Sequence, residues 1–191
     1  MTTTLPAKLT LAAFLEQPET KPACDFIDGT IAQKPMPQGE HSLLQGKLCA
    51  TINQVTEPQK LAYAFPELRC TFGGASIVPD VTVFRWERIP RQASGRIASR
   101  FEIHPDWAIE ILSPEQSQTR VTRKILHCLE HGTELGWLLD PAESSLLAFP
   151  PNQRPILLSE PDDILPVPTW LSSPEASLEL TLGTLFDWLS L

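Results

Sequence analysis

Trp107-Ala108-Ile109-Glu110-Ile111-Leu112 is an apolar run broken once, by a carboxylate, and closed by Ser113-Pro114. Proline forbids both continued strand pairing and an easy helix there, so the run reads as a strand with a defined end. A carboxylate inside a segment this hydrophobic loses its hydration, and isolated and ionised it would be strongly disfavoured. Glu110 must therefore be protonated, paired with a cation, hydrogen-bonded or bound to a divalent ion. Earlier in the chain, Pro79-Asp80 enters the β-branched run Val81-Thr82-Val83. Alternation along a strand puts Glu110 on the face of Ala108 and Leu112, and Asp80 on the face of Thr82 and Phe84. If the two strands are neighbours and the faces agree, two acids reach one cation. Hard oxygen ligands suit Mg2+ or Mn2+. Water acidified by such an ion is a nucleophile toward a phosphodiester.

Working outward, Leu9 to Glu16 reads as a short helix capped by Thr10. Cys24 to Ile31 reads as two strands around an Asp28-Gly29 turn. A helix from about Glu40 to Val55 carries Leu44, Leu48 and Ile52 as one buried stripe. Two strands, Leu61 to Phe72 and Ile77 to Trp86, are expected to join at Gly73-Gly74, and a long surface loop follows. Beyond Glu110, Ser117 or Thr119 caps a helix that Gly132 stops near His131. Gly136 to Pro141 and Ser145 to Phe149 read as antiparallel strands. Six prolines between 151 and 174 suggest an extended, surface-hugging arm. Thr181 then caps a last helix, with Leu182, Leu185, Phe186 and Leu189 on its docking face. The expected organisation is one α/β domain over residues 1–191, with a core at about 9–150, an acidic Pro-rich arm at 150–180 and a docking helix at 181–191.

Composition fits that organisation: 191 residues, 42% hydrophobic and 20% charged, describe an ordinary globular chain. No apolar stretch approaches the ~20 residues of a membrane span, and Met1 to Thr4 lacks the plan of a signal peptide. The expectation is a soluble cytoplasmic protein without membrane partners. Cys24, Cys49, Cys70 and Cys128 form no C-x-x-C pair and read as reduced thiols. His127 and His131 stand four apart on a helix but lack the Glu of H-E-x-x-H, so zinc is not expected there. Net charge is −8, yet all of it belongs to residues 134–191; residues 1–133 are balanced. Arg85, Arg88, Arg91, Arg96 and Arg100 oppose only Glu87 in their segment, which leaves room for a phosphate-contacting loop.

On the helix after Pro114, Val121, Ile125, Cys128 and Leu129 form the core stripe, and Lys124 borders it at roughly 85° from its centre. The alternatives for Lys124 are a snorkelling surface lysine and a partner of the two acids. Arg120 and Arg123 crowd the same segment.

At this point the chain resembles the Uma-type restriction endonucleases of the PD-(D/E)XK nuclease superfamily, abundant in cyanobacteria. The resemblance rests on Phe26-Ile27-Asp28-Gly29, Met36-Pro37 followed by His41, Val78-Pro79-Asp80-Val81, Pro105 through Pro114, Lys124 with Gly132, and Gly136 through Pro141. It implies a restriction-endonuclease-like core, a central mixed sheet flanked by helices, and a divalent-metal site. Asp80 and Glu110 match the family's metal-binding acids. Leu112 stands where the superfamily has its lysine, and Lys124 matches the relocated one. Glu40 and His41 match residues frequent at the first core helix, and Glu67 is a further candidate. The function implied is Mg2+-dependent (or Mn2+-dependent) endonucleolytic hydrolysis of DNA, with Arg85, Arg88, Arg120 and Arg123 as candidate DNA contacts. A homodimer is expected, because two strands need two sites. The alternative is a catalytically inactive relative that binds DNA or a protein.

Overall fold

A computed structural model describes residues 9–114, 116–173 and 176–190; Met1 to Thr4, Pro174 and Leu191, used above, lie outside them. Helix α1 (Leu11–Leu15) is capped as expected, the Thr10 hydroxyl accepting from the Ala13 amide at 3.2 Å. Strands β1 (Cys24–Ile27) and β2 (Thr30–Gln33) pair antiparallel around Asp28 and Gly29, whose positive φ of 53° and 78° close a two-residue turn. Helix α2 (Gly39–Thr56) buries Leu44, Leu48 and Ile52, the stripe expected from their spacing. Each such side chain stabilises the fold by about 1.5–3 kcal/mol relative to exposure. Asn53 fixes the helix to the sheet: its amide donates to the Ala64 carbonyl at 3.0 Å, and its oxygen accepts from the Ala64 amide at 2.7 Å.

The two long strands expected over 61–72 and 77–86 each break in two. β3 (Ala62–Pro66) and β6 (Val81–Arg85) pair in the large sheet, whereas β4 (Cys70–Phe72) and β5 (Ala75–Ile77) pair in the small one. The break falls at Glu67, with φ of 44°, opposite Asp80. There the Glu67 amide donates to the Asp80 carbonyl at 3.0 Å, the last rung in register before the strands diverge. A hairpin bent at its middle thus serves two sheets, and Asp80 sits at the bend.

β7 (Trp107–Ile111) runs antiparallel to β6 and parallel to β8 (Leu135–Asp140). Parallel neighbours need a crossover, and α3 (Gln118–Glu130) supplies it. Its buried face, Val121, Ile125 and Cys128, lies close on β8 because position 136 is glycine: a Cβ there would meet Ile125 Cγ2 at 2.2 Å. β9 (Ser145–Phe149) returns antiparallel to β8 as expected.

The Pro-rich segment does more than hug the surface. β10 (Ile156–Leu158) extends the large sheet, and Leu165, Leu171, Leu178 and Leu180 enter the main core. β11 (Ser172–Ser173) and β12 (Ala176–Ser177) make a short ribbon, and α4 (Leu182–Asp187) docks through Leu182 and Leu185 under its Thr181 cap. Among the described residues the sheets run β10-β9-β8-β7-β6-β3, β2-β1-β5-β4 and β11-β12. This mixed α/β architecture is the expected fold class. The main core, with Trp107 packed edge-on against Trp137 at 4.6 Å, lies on the α2 side of the large sheet. On the opposite face Phe84 and Ala108 pack with Cys128 of α3, and there Glu110 meets Lys124. Among the described residues no helix is long and apolar enough to cross a membrane.

Candidate active site

The register between β6 and β7 pairs Val81 with Ile109 and Thr82 with Ala108. Continued by one step, it sets Asp80 across from Glu110 on the face of Thr82 and Ala108, as the alternation of the two sequences requires. Both acids are 1% exposed. Asp80 Oδ2 accepts the Ile111 amide at 2.7 Å, which locks the bend of the hairpin onto the strand of Glu110.

Each acid has its own cation. Lys124 is a buried ion, 3% exposed, so the snorkelling alternative is set aside. Its Nζ lies 2.8 Å from Glu110 Oε1 and 3.1 Å from Asp25 Oδ2. Lys34 Nζ lies 2.6 Å from Asp80 Oδ1 and donates to the Val78 carbonyl at 3.0 Å. His41 Nε2 adds a 3.2 Å contact to Asp80 Oδ2, and the Gln45 amide donates to the Asp80 carbonyl at 2.7 Å. Glu67 is half exposed and reaches Lys34 at 3.9 Å.

These surroundings set the charges. Burial pushes the Asp80 carboxyl up, but the His41 hydrogen bond and the charges of Lys34, His41 and Lys124 outweigh it and hold the group well below the usual carboxylate range. Burial dominates at Glu110 and pushes its carboxyl up to about 8; Lys124 opposes this, and Asp80 reinforces it. Burial alone would discharge Lys124, but Glu110, Asp25 and Asp80 reverse the direction and hold it an ammonium.

Sequence reasoning found Asp80, Glu110 and Lys124, and the structure brings them together with His41. It missed Asp25, Lys34 and Gln45. Asp25 was open to the argument used for Glu110, a carboxylate within Cys24-Asp25-Phe26-Ile27; Lys34 lies in irregular chain and carries no such signal. Glu40 stands apart from the acids, beside His41 on a cavity of about 510 Å3 bounded by Leu112 to Pro114 and Asp140 to Ala142. Arg120 and Arg123 border a smaller cavity of about 60 Å3 that Asp25 and Lys124 also line. Arg85 and Arg88 are held elsewhere. Arg85 Nε reaches buried Asp106 at 3.0 Å, and Arg88 reaches the same carboxylate at 2.6 Å, so both pin the loop after β6 to the start of β7.

The residues fit a divalent ion by their donor chemistry. Glu110 Oε2 is buried without a hydrogen-bond partner among the described residues, while Oε1 faces Lys124 at 2.8 Å. A second hard-oxygen group stands opposite at Asp80. Asp80 would exchange Lys34 for the ion.

A mixed sheet that sets two enclosed acids and a lysine on one face defines the class: a restriction-endonuclease-like α/β protein. The chain belongs to the Uma2 family, described as "putative restriction endonuclease", whose model matches residues 11–183. Among solved structures it is similar to a crystal structure of "a putative nuclease belonging to DUF820" from the cyanobacterium Anabaena variabilis. The two are 54% identical with a TM-score of 0.91, over 95% of this chain and 99% of that one. Comparison with curated proteins gives no match.

Proposed function

We propose that this protein is a metal-dependent endonuclease that hydrolyses DNA phosphodiester bonds, with Asp80 and Glu110 holding Mg2+ or Mn2+. The observation that carries the reading is Lys124 2.8 Å from Glu110, beside an Asp80 whose carboxylate accepts the amide of the next residue, Ile111, at 2.7 Å. A bound divalent ion supplies an acidified water and screens charge at phosphorus. Hydrolysis adds the water oxygen to phosphorus and releases the sugar oxygen, which takes a proton. Lys124, held protonated between carboxylates, neutralises the charge that develops on the phosphate oxygens. Lys34, held beside Asp80, would be a second ammonium for the same charge. His41 orients Asp80. Arg120 and Arg123, exposed on α3 near Lys124, contact the phosphates on either side. Arg85 and Arg88, tied to Asp106, support the loop and are secondary DNA contacts. Glu40, on the larger cavity, and Glu67, beside Lys34, are peripheral to the reaction.

The free cysteines suit a reducing compartment such as the cytoplasm. We take the working form to be a homodimer, one site per strand. The test is conversion of supercoiled plasmid in Mg2+ or Mn2+, with Asp80→Asn and Glu110→Gln losing it while circular dichroism confirms their fold. No cleavage by the native chain, with plasmid retardation retained, would instead mark a binding module.

A further inference from the structure

The carboxyl end of α3 carries a second group of ligating side chains. His127, Glu130 and His131 each offer one donor atom, and the three atoms lie within 4.8 Å of one another. Spacings of three and four place them on one helical face. The two imidazoles pack together with centroids 4.4 Å apart.

Their hydrogen bonds prepare both rings for a metal. His127 Nε2 lies 3.3 Å from the Phe72 carbonyl, and His131 Nδ1 lies 2.8 Å from the His127 carbonyl. A carbonyl oxygen can only accept, so those nitrogens carry the protons and each ring keeps one bare nitrogen. A ring N–H tied to a backbone carbonyl is the support that metal-ligating histidines typically have.

The hairpin turn is shaped around these rings. Phe72 packs on His127 at 5.0 Å and on His131 at 5.6 Å. Gly73, at φ of 56°, leaves the space His131 fills: a Cβ there would lie 2.1 Å from His131 Nε2.

We infer that His127, Glu130 and His131 form a second metal site, separate from the Asp80–Glu110 pair and selective for an imidazole-preferring ion such as Zn2+. Two imidazoles and one carboxylate leave a fourth position for water, and this donor set favours Zn2+ over Mg2+, whereas an all-carboxylate site favours the reverse. Tetrahedral Zn2+ with bonds near 2.0–2.1 Å wants donors roughly 3.3 Å apart, a closing-in that exposed Glu130 and His131 can make. The H-E-x-x-H rule missed this cluster because its carboxylate comes three residues after the first histidine. Lys124 lies one turn earlier on α3, so an ion here also steadies the helix that presents it.

The test is calorimetric titration of the tag-free full chain with Zn2+, native and as Glu110→Gln, which disables the other site. One equivalent of Zn2+ should bind in both, with millimolar Mg2+ failing to displace it. His131→Ala and Glu130→Gln should each weaken it about tenfold or more. Should His131→Ala fail to fold, Glu130→Gln, at an exposed position, decides alone. Absence of Zn2+ binding, loss of it in Glu110→Gln, or unchanged binding in Glu130→Gln would overturn the assignment.

Discussion

Lys124 Nζ and Glu110 Oε1 meet at 2.8 Å in a space closed to solvent, one side chain 3% exposed and the other 1%. The lysine comes from the crossover helix and the glutamate from the central strand beneath it. A second carboxylate, Asp25, approaches the same ammonium at 3.1 Å. Because burial penalises every unpaired member, the consequences of breaking this group are large and specific.

At pH 9, where Glu110 is ionised, Lys124→Ala strands two buried carboxylates and should cost about 3–5 kcal/mol, the usual result of orphaning a buried charge. Urea denaturation measures it. The double variant Lys124→Ala with Glu110→Gln should recover part of the loss, and a single variant within about 0.5 kcal/mol of native would contradict the ion pair.

The acids respond to pH in opposite directions. Glu110 rises from the usual 4.5 to about 8 on folding. It therefore takes up a proton as the chain folds, and its contribution to stability declines as pH increases through that window. Asp80 is held low, so its contribution is present above the ordinary carboxylate range and disappears only in strong acid. Thermal melting of Glu110→Gln should lack the native decline between pH 5 and 8; an unchanged profile would refute the assignment.

Arginines divide by partner. Arg120→Ala and Arg123→Ala should leave stability within about 0.5 kcal/mol and lower the salt slope of DNA binding by about 1 each. Arg88→Ala should destabilise by about 1.5–3 kcal/mol, the worth of one hydrogen bond to a charged group, because Asp106 keeps Arg85 as a partner. Denaturation and DNA retardation, run on the same proteins, separate the two groups.

Asp80→Asn keeps the acceptor for the Ile111 amide but loses a ligand charge. Plasmid cleavage should fall by about a hundredfold or more while the fold persists. Cleavage near the native rate would remove Asp80 from the chemistry.

Glu110 was legible because an acid within Trp107 to Leu112 has few physical outcomes, and the same rule applied to Asp25 would have found it. Lys124 was readable as a residue at the border of a stripe, but its depth depends on how closely α3 settles over Gly136, which helical periodicity does not encode. Lys34 was invisible: it reaches Asp80 from 46 positions away through irregular chain. The hairpin over 61–86 reads as continuous because apolar alternation persists through Glu67, where a positive φ of 44° bends it. The arm beyond Pro150 reads as surface because its prolines mask spaced leucines that pack only in three dimensions.

Whether Asp80 and Glu110 share one divalent ion is decided by Mn2+ calorimetry on the native chain, Asp80→Asn and Glu110→Gln. Binding that strengthens from pH 6.5 to 8.5 as Glu110 gives up its proton, and is lost in both variants, is the result expected. Mn2+ binding of native strength in either variant would contradict it.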